Sequence, residues 1–234
     1  MAHRIGRFSR CSRRGTLPAV GRAGDVSRGM ERHMKIKAGL HQFSTSQFGT
    51  LPDWMAATNA ERDTLLVACS DHGTAPDNLS FAGESRLLIL QHLISSIPSL
   101  AESAEFTLSL ADVERVIDDY PVRYLIVCGH VGCGIIRRWV TEPPMSWSDT
   151  GGFEARFRRK TLALVNEHYP DVGEAERCRV AVFEHVLIQL ENLLTHPTFA
   201  ERVANGSLRL FGWVVNEHSR VLNYDPARGG YFPT

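Results

Sequence analysis

The 234-residue chain has no net charge, no long apolar run, no internal repeat and no even set of cysteines. Each absence excludes something. Twenty-six Lys and Arg balance 26 Asp and Glu, so no global field selects nucleic acid, a membrane surface or acidic substrates. No stretch approaches the roughly 20 apolar residues that span a bilayer, and the protein is expected to be soluble with no membrane partner. The tryptophans at 54, 139, 147 and 213 form no stacking pattern for nucleic acid. Five cysteines, at 11, 69, 128, 133 and 178, are odd in number and unevenly spaced. They do not read as a disulfide framework. Reduced thiols and a cytoplasmic location are expected, and the apolar core of a secretory signal is missing.

What is present divides the chain in two. Residues 1–33 are rich in Arg, Gly and Ser, nearly free of acids and without an apolar period. Such a segment cannot bury enough apolar surface to offset its ordering entropy. It reads as a disordered extension, with an organelle transit peptide or a nucleic-acid arm as alternatives. Residues 34–234 read as one domain. "LLVAC" (65–69) and "YLIVC" (124–128) are short continuous apolar runs of the kind found in buried parallel strands. "RLLIL" (86–90) is strand or helix, and "LRLFGWVV" (208–215) is a further strand. "SLADVERVIDDY" (109–120) opens on a capping signature, Ser109 with Asp112, and places Leu110, Val113, Val116 and Ile117 on one helical face. Residues 174–195 carry a broad apolar stripe, and Pro197 suits the first turn of a helix ending near Ala204. The segment 141–152, with two prolines and two glycines, reads as a loop. Strands alternating with helices predict an α/β fold whose central, mostly parallel sheet is flanked by helices.

Two of the predicted strands end in soft metal ligands. Cys69 follows "LLVA"; His130 and Cys133 follow "YLIVC" within "GHVGCG". Sites in open α/β sheets form at the carboxyl ends of strands, so neighbouring strands would bring the three together. Two thiolates and an imidazole suit Zn²⁺ and leave a fourth position for water or substrate. Cysteines at strand ends are also common as small buried hydrophobes, and Cys128 is read that way. Gly129, Gly132 and Gly134 favour a tight turn with close backbone approach. Cys178 reads as packed or inert, His185 as structural, and Ser70 as a turn residue.

"ACSD" at a strand end followed some sixty residues later by "VCGHVGCG" resembles the β-carbonic anhydrase family. The similarity runs from about Gly39 to the C-terminus and includes "GE" (83–84), the helix around 182–193 and the "GW" of 208–215. The resemblance implies Zn²⁺ held by Cys69, His130 and Cys133, with Asp71 beside the fourth position. It implies reversible hydration of CO₂ to bicarbonate by a zinc-bound hydroxide, with CO₂ and bicarbonate as small-molecule partners. It also implies a homodimer or larger homo-oligomer.

The sequence departs from that pattern around Asp71. The family usually has an arginine two residues after this aspartate; here Gly73 stands there. Ala60 replaces a glutamine, "ILQHL" (89–93) replaces an Arg-Asn-Ala-Gly-Asn stretch, and Arg115 replaces an aromatic. A buried carboxylate without its cation is costly, so Asp71 must find another positive centre, take a proton or reach solvent. One expectation is that Asp71 binds the zinc as a fourth ligand. Another is that His72, Arg86, His92 or Arg115 replaces the arginine, although Arg86 and Arg115 read first as solvated surface charges. Asp71 is read as the group that orients the attacking oxygen and His72 as a proton shuttle. Two other functions stay open: a catalytically weak zinc-binding relative serving as a binding or scaffold protein, and a hydrolase of another small heterocumulene.

Overall fold

Leu65, Leu66, Val67 and Ala68 are all completely buried, which is why this stretch carries no polar alternation. Successive side chains of a strand point to opposite faces. Leu65, Val67 and Cys69 therefore enter one apolar layer, and Leu66 and Ala68 enter another with Trp54, Ile126, Cys128, Phe211 and Trp213. The computed structural model describes residues 34–56, 62–71, 86–103, 107–143 and 152–234. The expected extension 1–33 lies outside them, as do His72, Gly73, Ala60 and the "GE" of 83–84.

Along the chain come β1 (Met34–Lys35), α1 (Leu51–Ala56), β2 (Thr64–Cys69), β3 (Leu87–His92), α2 (Thr107–Asp119) and β4 (Tyr124–His130). Then follow α3 (Gly134–Thr141), α4 (Phe153–His168), α5 (Glu174–Leu194), α6 (Pro197–Ala204), β5 (Arg209–Val215), β6 (Val221–Asp225) and β7 (Gly230–Pro233). All the strands join one sheet in the order β1-β7-β6-β5-β4-β2-β3. Four of them, β3-β2-β4-β5, run parallel, and β6, β7 and β1 add an antiparallel flank. The sheet is mixed and largely parallel.

The two short runs that end in candidate ligands are direct neighbours: Thr64 to Ala68 of β2 register with Tyr124 to Cys128 of β4. Helix α5 lies against β4 and β5, burying Val182, Phe183, Val186, Leu187, Leu190 and Leu193. Its approach depends on Gly129, where a β-carbon would come within 2.9 Å of Val186 Cγ2. None of the helices among the described residues is long and apolar enough to cross a membrane.

Several sequence expectations need adjusting. The run at 86–90 is a strand, displaced to Leu87–His92, and forms an edge of the sheet. Helix α2 begins at Thr107, so Ser109 lies inside it rather than at its cap. Part of the predicted 141–152 loop is helical at its first residue, and Gly152 is the N-cap of α4. Arg86, read as a solvated charge, is buried. Its Nε and Nη2 donate to Asp63 Oδ1 and Oδ2 at 3.0 and 2.9 Å, and Nη1 donates to the Trp54 carbonyl at 2.7 Å. A guanidinium leaves water without large cost when a carboxylate meets it bidentately and its remaining donors are met. Arg86 is thereby spent on Asp63 and is not the partner of Asp71. Arg115 is a surface residue, 3.5 Å from Asp119 one helical turn on.

Candidate metal centre

Cys69 ends β2, His130 ends β4 and Cys133 is the N-cap of α3. Between the last two the chain turns through Gly132, whose φ of 82° lies in the left-handed region that favours glycine. Each of the three residues is at most 4% exposed, and their ligand atoms all lie within 4.8 Å of one another. His130 Nε2 is buried without a hydrogen-bond partner. An unmet imidazole nitrogen is costly in an apolar layer, and beside two thiols it is the donor set of a metal ion. The three residues therefore fit a metal.

The thiols are electrostatically unequal. A hydrogen bond from the Cys133 thiol pulls the Cys69 pKa below its ordinary value against the opposing effect of burial, helped by the backbone N–H groups of Asp71 and Ile94. The Asp71 N–H lies 3.4 Å from Cys69 Sγ. Cys133 is pushed up, by Cys69 first and burial second. Burial works against the charged form of His130, but the neighbouring Cys133 sulfur and Asp71 carboxylate outweigh it and raise its pKa. Cys128 is different: it is completely buried in the opposite layer, and burial alone pushes its thiol up to about 12. It is a core residue, as its surroundings in the sequence suggested.

Asp71 Oδ2 is 4.0 Å from His130 Nε2 and accepts a 2.8 Å hydrogen bond from the Gly134 N–H. Gly134 is the first residue of α3, and the unpaired N–H groups and macrodipole of a helix start favour a carboxylate. Sequence reasoning sought a cationic side chain for Asp71 and missed this backbone donor. The "GHVGCG" turn was the available signal, since it starts a helix right after the last ligand. His92 stands beside Cys69 in the β2–β3 register, with Nδ1 buried and unpartnered. Also missed was Ile94, whose N–H donates to the Cys69 sulfur from a left-handed conformation (φ 56°).

Residues 64–220, about two thirds of the chain, match the family described as carbonic anhydrase. The chain belongs to the β-carbonic anhydrase family. It is a divergent member. The carbonic anhydrase of Synechococcus elongatus is 26% identical over 190 residues, covering 79% of this chain and 68% of that protein. The carbonic anhydrase of Synechocystis is 28% identical over 202 residues, covering 82% and 70%. Among solved structures, the β-carbonic anhydrase CcaA superimposes with a TM-score of 0.59 at 24% identity, covering 78% of this chain and 89% of that one. One of two tetrameric β-carbonic anhydrases from Sordaria macrospora gives 0.56 at 16% identity, covering 74% and 84%. At these identities the structural likeness is one of fold.

Proposed function

We propose that this β-carbonic anhydrase homologue holds Zn²⁺ on Cys69, His130 and Cys133 and catalyses the reversible hydration of CO₂ to bicarbonate. The observation that carries the proposal is the buried two-thiol, one-imidazole donor set with the Asp71 carboxylate 4.0 Å from His130 Nε2. Zn²⁺ in that set would supply Lewis acidity, which brings the pKa of water toward neutrality. The protein's own part falls first to Asp71. Its carboxylate accepts a hydrogen bond from the attacking oxygen and so aims that oxygen, while the Gly134 N–H holds the carboxylate in place. His72, the next residue, is proposed as the proton carrier to solvent. The 4.0 Å separation also favours a second state of the same site, in which Asp71 is itself the fourth ligand and access opens as pH rises.

Two further features accompany this reading. Among the described residues Cys69, Cys128, Cys133 and Cys178 form no disulfide, which supports a reducing, cytoplasmic setting. Ile89 and Leu93, on and just after the edge strand β3, are exposed apolar side chains; with the tetrameric Sordaria macrospora relatives they support a homodimer or larger assembly.

The test is stopped-flow CO₂ hydration by protein of measured zinc content, between about pH 6.5 and 9. Zinc-dependent turnover that increases with pH is expected, absent in Cys69→Ala. Asp71→Asn should lower kcat/KM by roughly 10²-fold or more. Zinc-loaded protein without turnover at any pH overturns the assignment.

A further inference from the structure

One face of α5 is polar although completely enclosed: His185, Gln189 and Asn192 are buried, as is His196 just beyond the helix. All four grip the backbone of one short segment. His185 Nε2 lies 3.1 Å from the Ile94 carbonyl, Gln189 Oε1 accepts from the Ile97 N–H at 2.8 Å, and Asn192 Nδ2 donates to the Ile97 carbonyl at 2.8 Å. His196 Nε2 is 2.9 Å from the Pro98 carbonyl. A carbonyl only accepts, so His185 carries its proton on Nε2, and its Nδ1 accepts from the Thr161 hydroxyl at 2.8 Å. From the other side, the Ser95 hydroxyl donates to the Cys128 carbonyl at 2.6 Å. The gripped segment holds two consecutive left-handed residues, Ile94 (φ 56°) and Ser95 (φ 54°). A β-branched residue does not adopt that conformation unless its surroundings fix it. The consequence of fixing it is that the Ile94 N–H meets the Cys69 sulfur.

We infer that His185, with Gln189 and Asn192, are positioning residues for the metal centre: through the 94–98 segment they hold a backbone N–H on the Cys69 ligand. The inference rests on the metal-centre reading above. Donors to a ligand set its orientation and basicity, and their loss typically costs 10- to 100-fold in metal affinity.

The experiment compares zinc affinity by chelator competition, and the thiolate-to-metal absorption of the Co²⁺-substituted protein, in wild type, His185→Leu and His185→Gln. His185→Leu should bind zinc roughly 10-fold or more weakly and shift the Co²⁺ band, while His185→Gln, which keeps a donor, stays near wild type. Adding Ile94→Gly to His185→Leu should restore the Co²⁺ spectrum, because glycine takes positive φ unaided. If His185→Leu does not fold, Ser95→Ala tests the opposite anchor with the same expected direction. Wild-type affinity and an unchanged Co²⁺ band in the folded variant would overturn the inference alone. A wild-type chain that takes up neither metal would overturn the metal-centre reading and the inference together.

Discussion

Gly129 sits between Cys128, a core residue, and His130, one of the three candidate metal ligands. A β-carbon there would lie 2.9 Å from Val186 Cγ2 and 3.3 Å from Val182 Cγ1, closer than packed carbons tolerate. Two β-branched side chains on a long buried helix have few rotamers in which to give way. Gly129→Ala should therefore destabilise the fold by about 1–3 kcal/mol, read as a lower urea midpoint with an unchanged slope. An unchanged midpoint would mean that α5 moves away from β4 at no cost. The same few residues show what a single position reveals in a sequence and what it hides. Cys128 and Cys133 are alike in type, and their spacing in "LIVCGHVGC" invites confusion. Cys128 is set apart by the sheet face it takes, in the layer of Trp54, Phe211 and Trp213, and that follows only once β4 is a strand. The Gly134 partner of Asp71 was hidden for another reason. It is a backbone N–H, which every residue but proline owns, so no residue type could announce it.

At the scale of elements, the segment from β1 to His41 is fastened to α5 by a charge cluster. His41 Nε2 is 2.6 Å from Glu184 Oε2, and Nδ1 is 2.9 Å from Glu191 Oε1. The Tyr169 hydroxyl donates to Glu184 Oε1 and accepts from the Lys37 N–H at 3.0 Å. Burial opposes a charge on His41, but the two glutamates prevail and raise its pKa from 6.5 to about 9. Because the folded value lies above the unfolded one, the stability supplied by this cluster is complete below about pH 6.5. It fades as pH climbs and is lost above about 9, a difference of roughly 3 kcal/mol. The thermal midpoint of wild type should fall over that interval, and that of His41→Gln should start lower and change less. Parallel pH profiles would show that the cluster is not ionised as described. None of this was legible, since 143 residues separate His41 from Glu184. What could be read were elements that announce themselves locally: the unbroken apolar runs of β2 and β4, the long stripe of α5, and Pro197 opening α6. Helices α3 and α4 and the short strands β6 and β7 escaped, because their pattern makes sense only against the sheet they cover or extend.

For the molecule as a whole, the candidate metal centre lies where two central parallel strands and the start of a helix meet. Cys69 comes from β2, His130 from β4 and Cys133 from the cap of α3, so an ion held there ties elements more than sixty residues apart. An ion that binds the folded chain and not the unfolded one stabilises by mass action, about 4 kcal/mol when free metal exceeds Kd by about 1,000-fold. In a chain of this size each kcal/mol moves the midpoint by about 2–4 °C. Removing zinc with a chelator should therefore lower the thermal midpoint by about 10 °C, and readding zinc should restore it. Cys133→Ala, which keeps the fold's apolar layers but only two of the three donors, should respond little to either treatment. Equal responses in wild type and Cys133→Ala would place the stabilising ion elsewhere in the molecule.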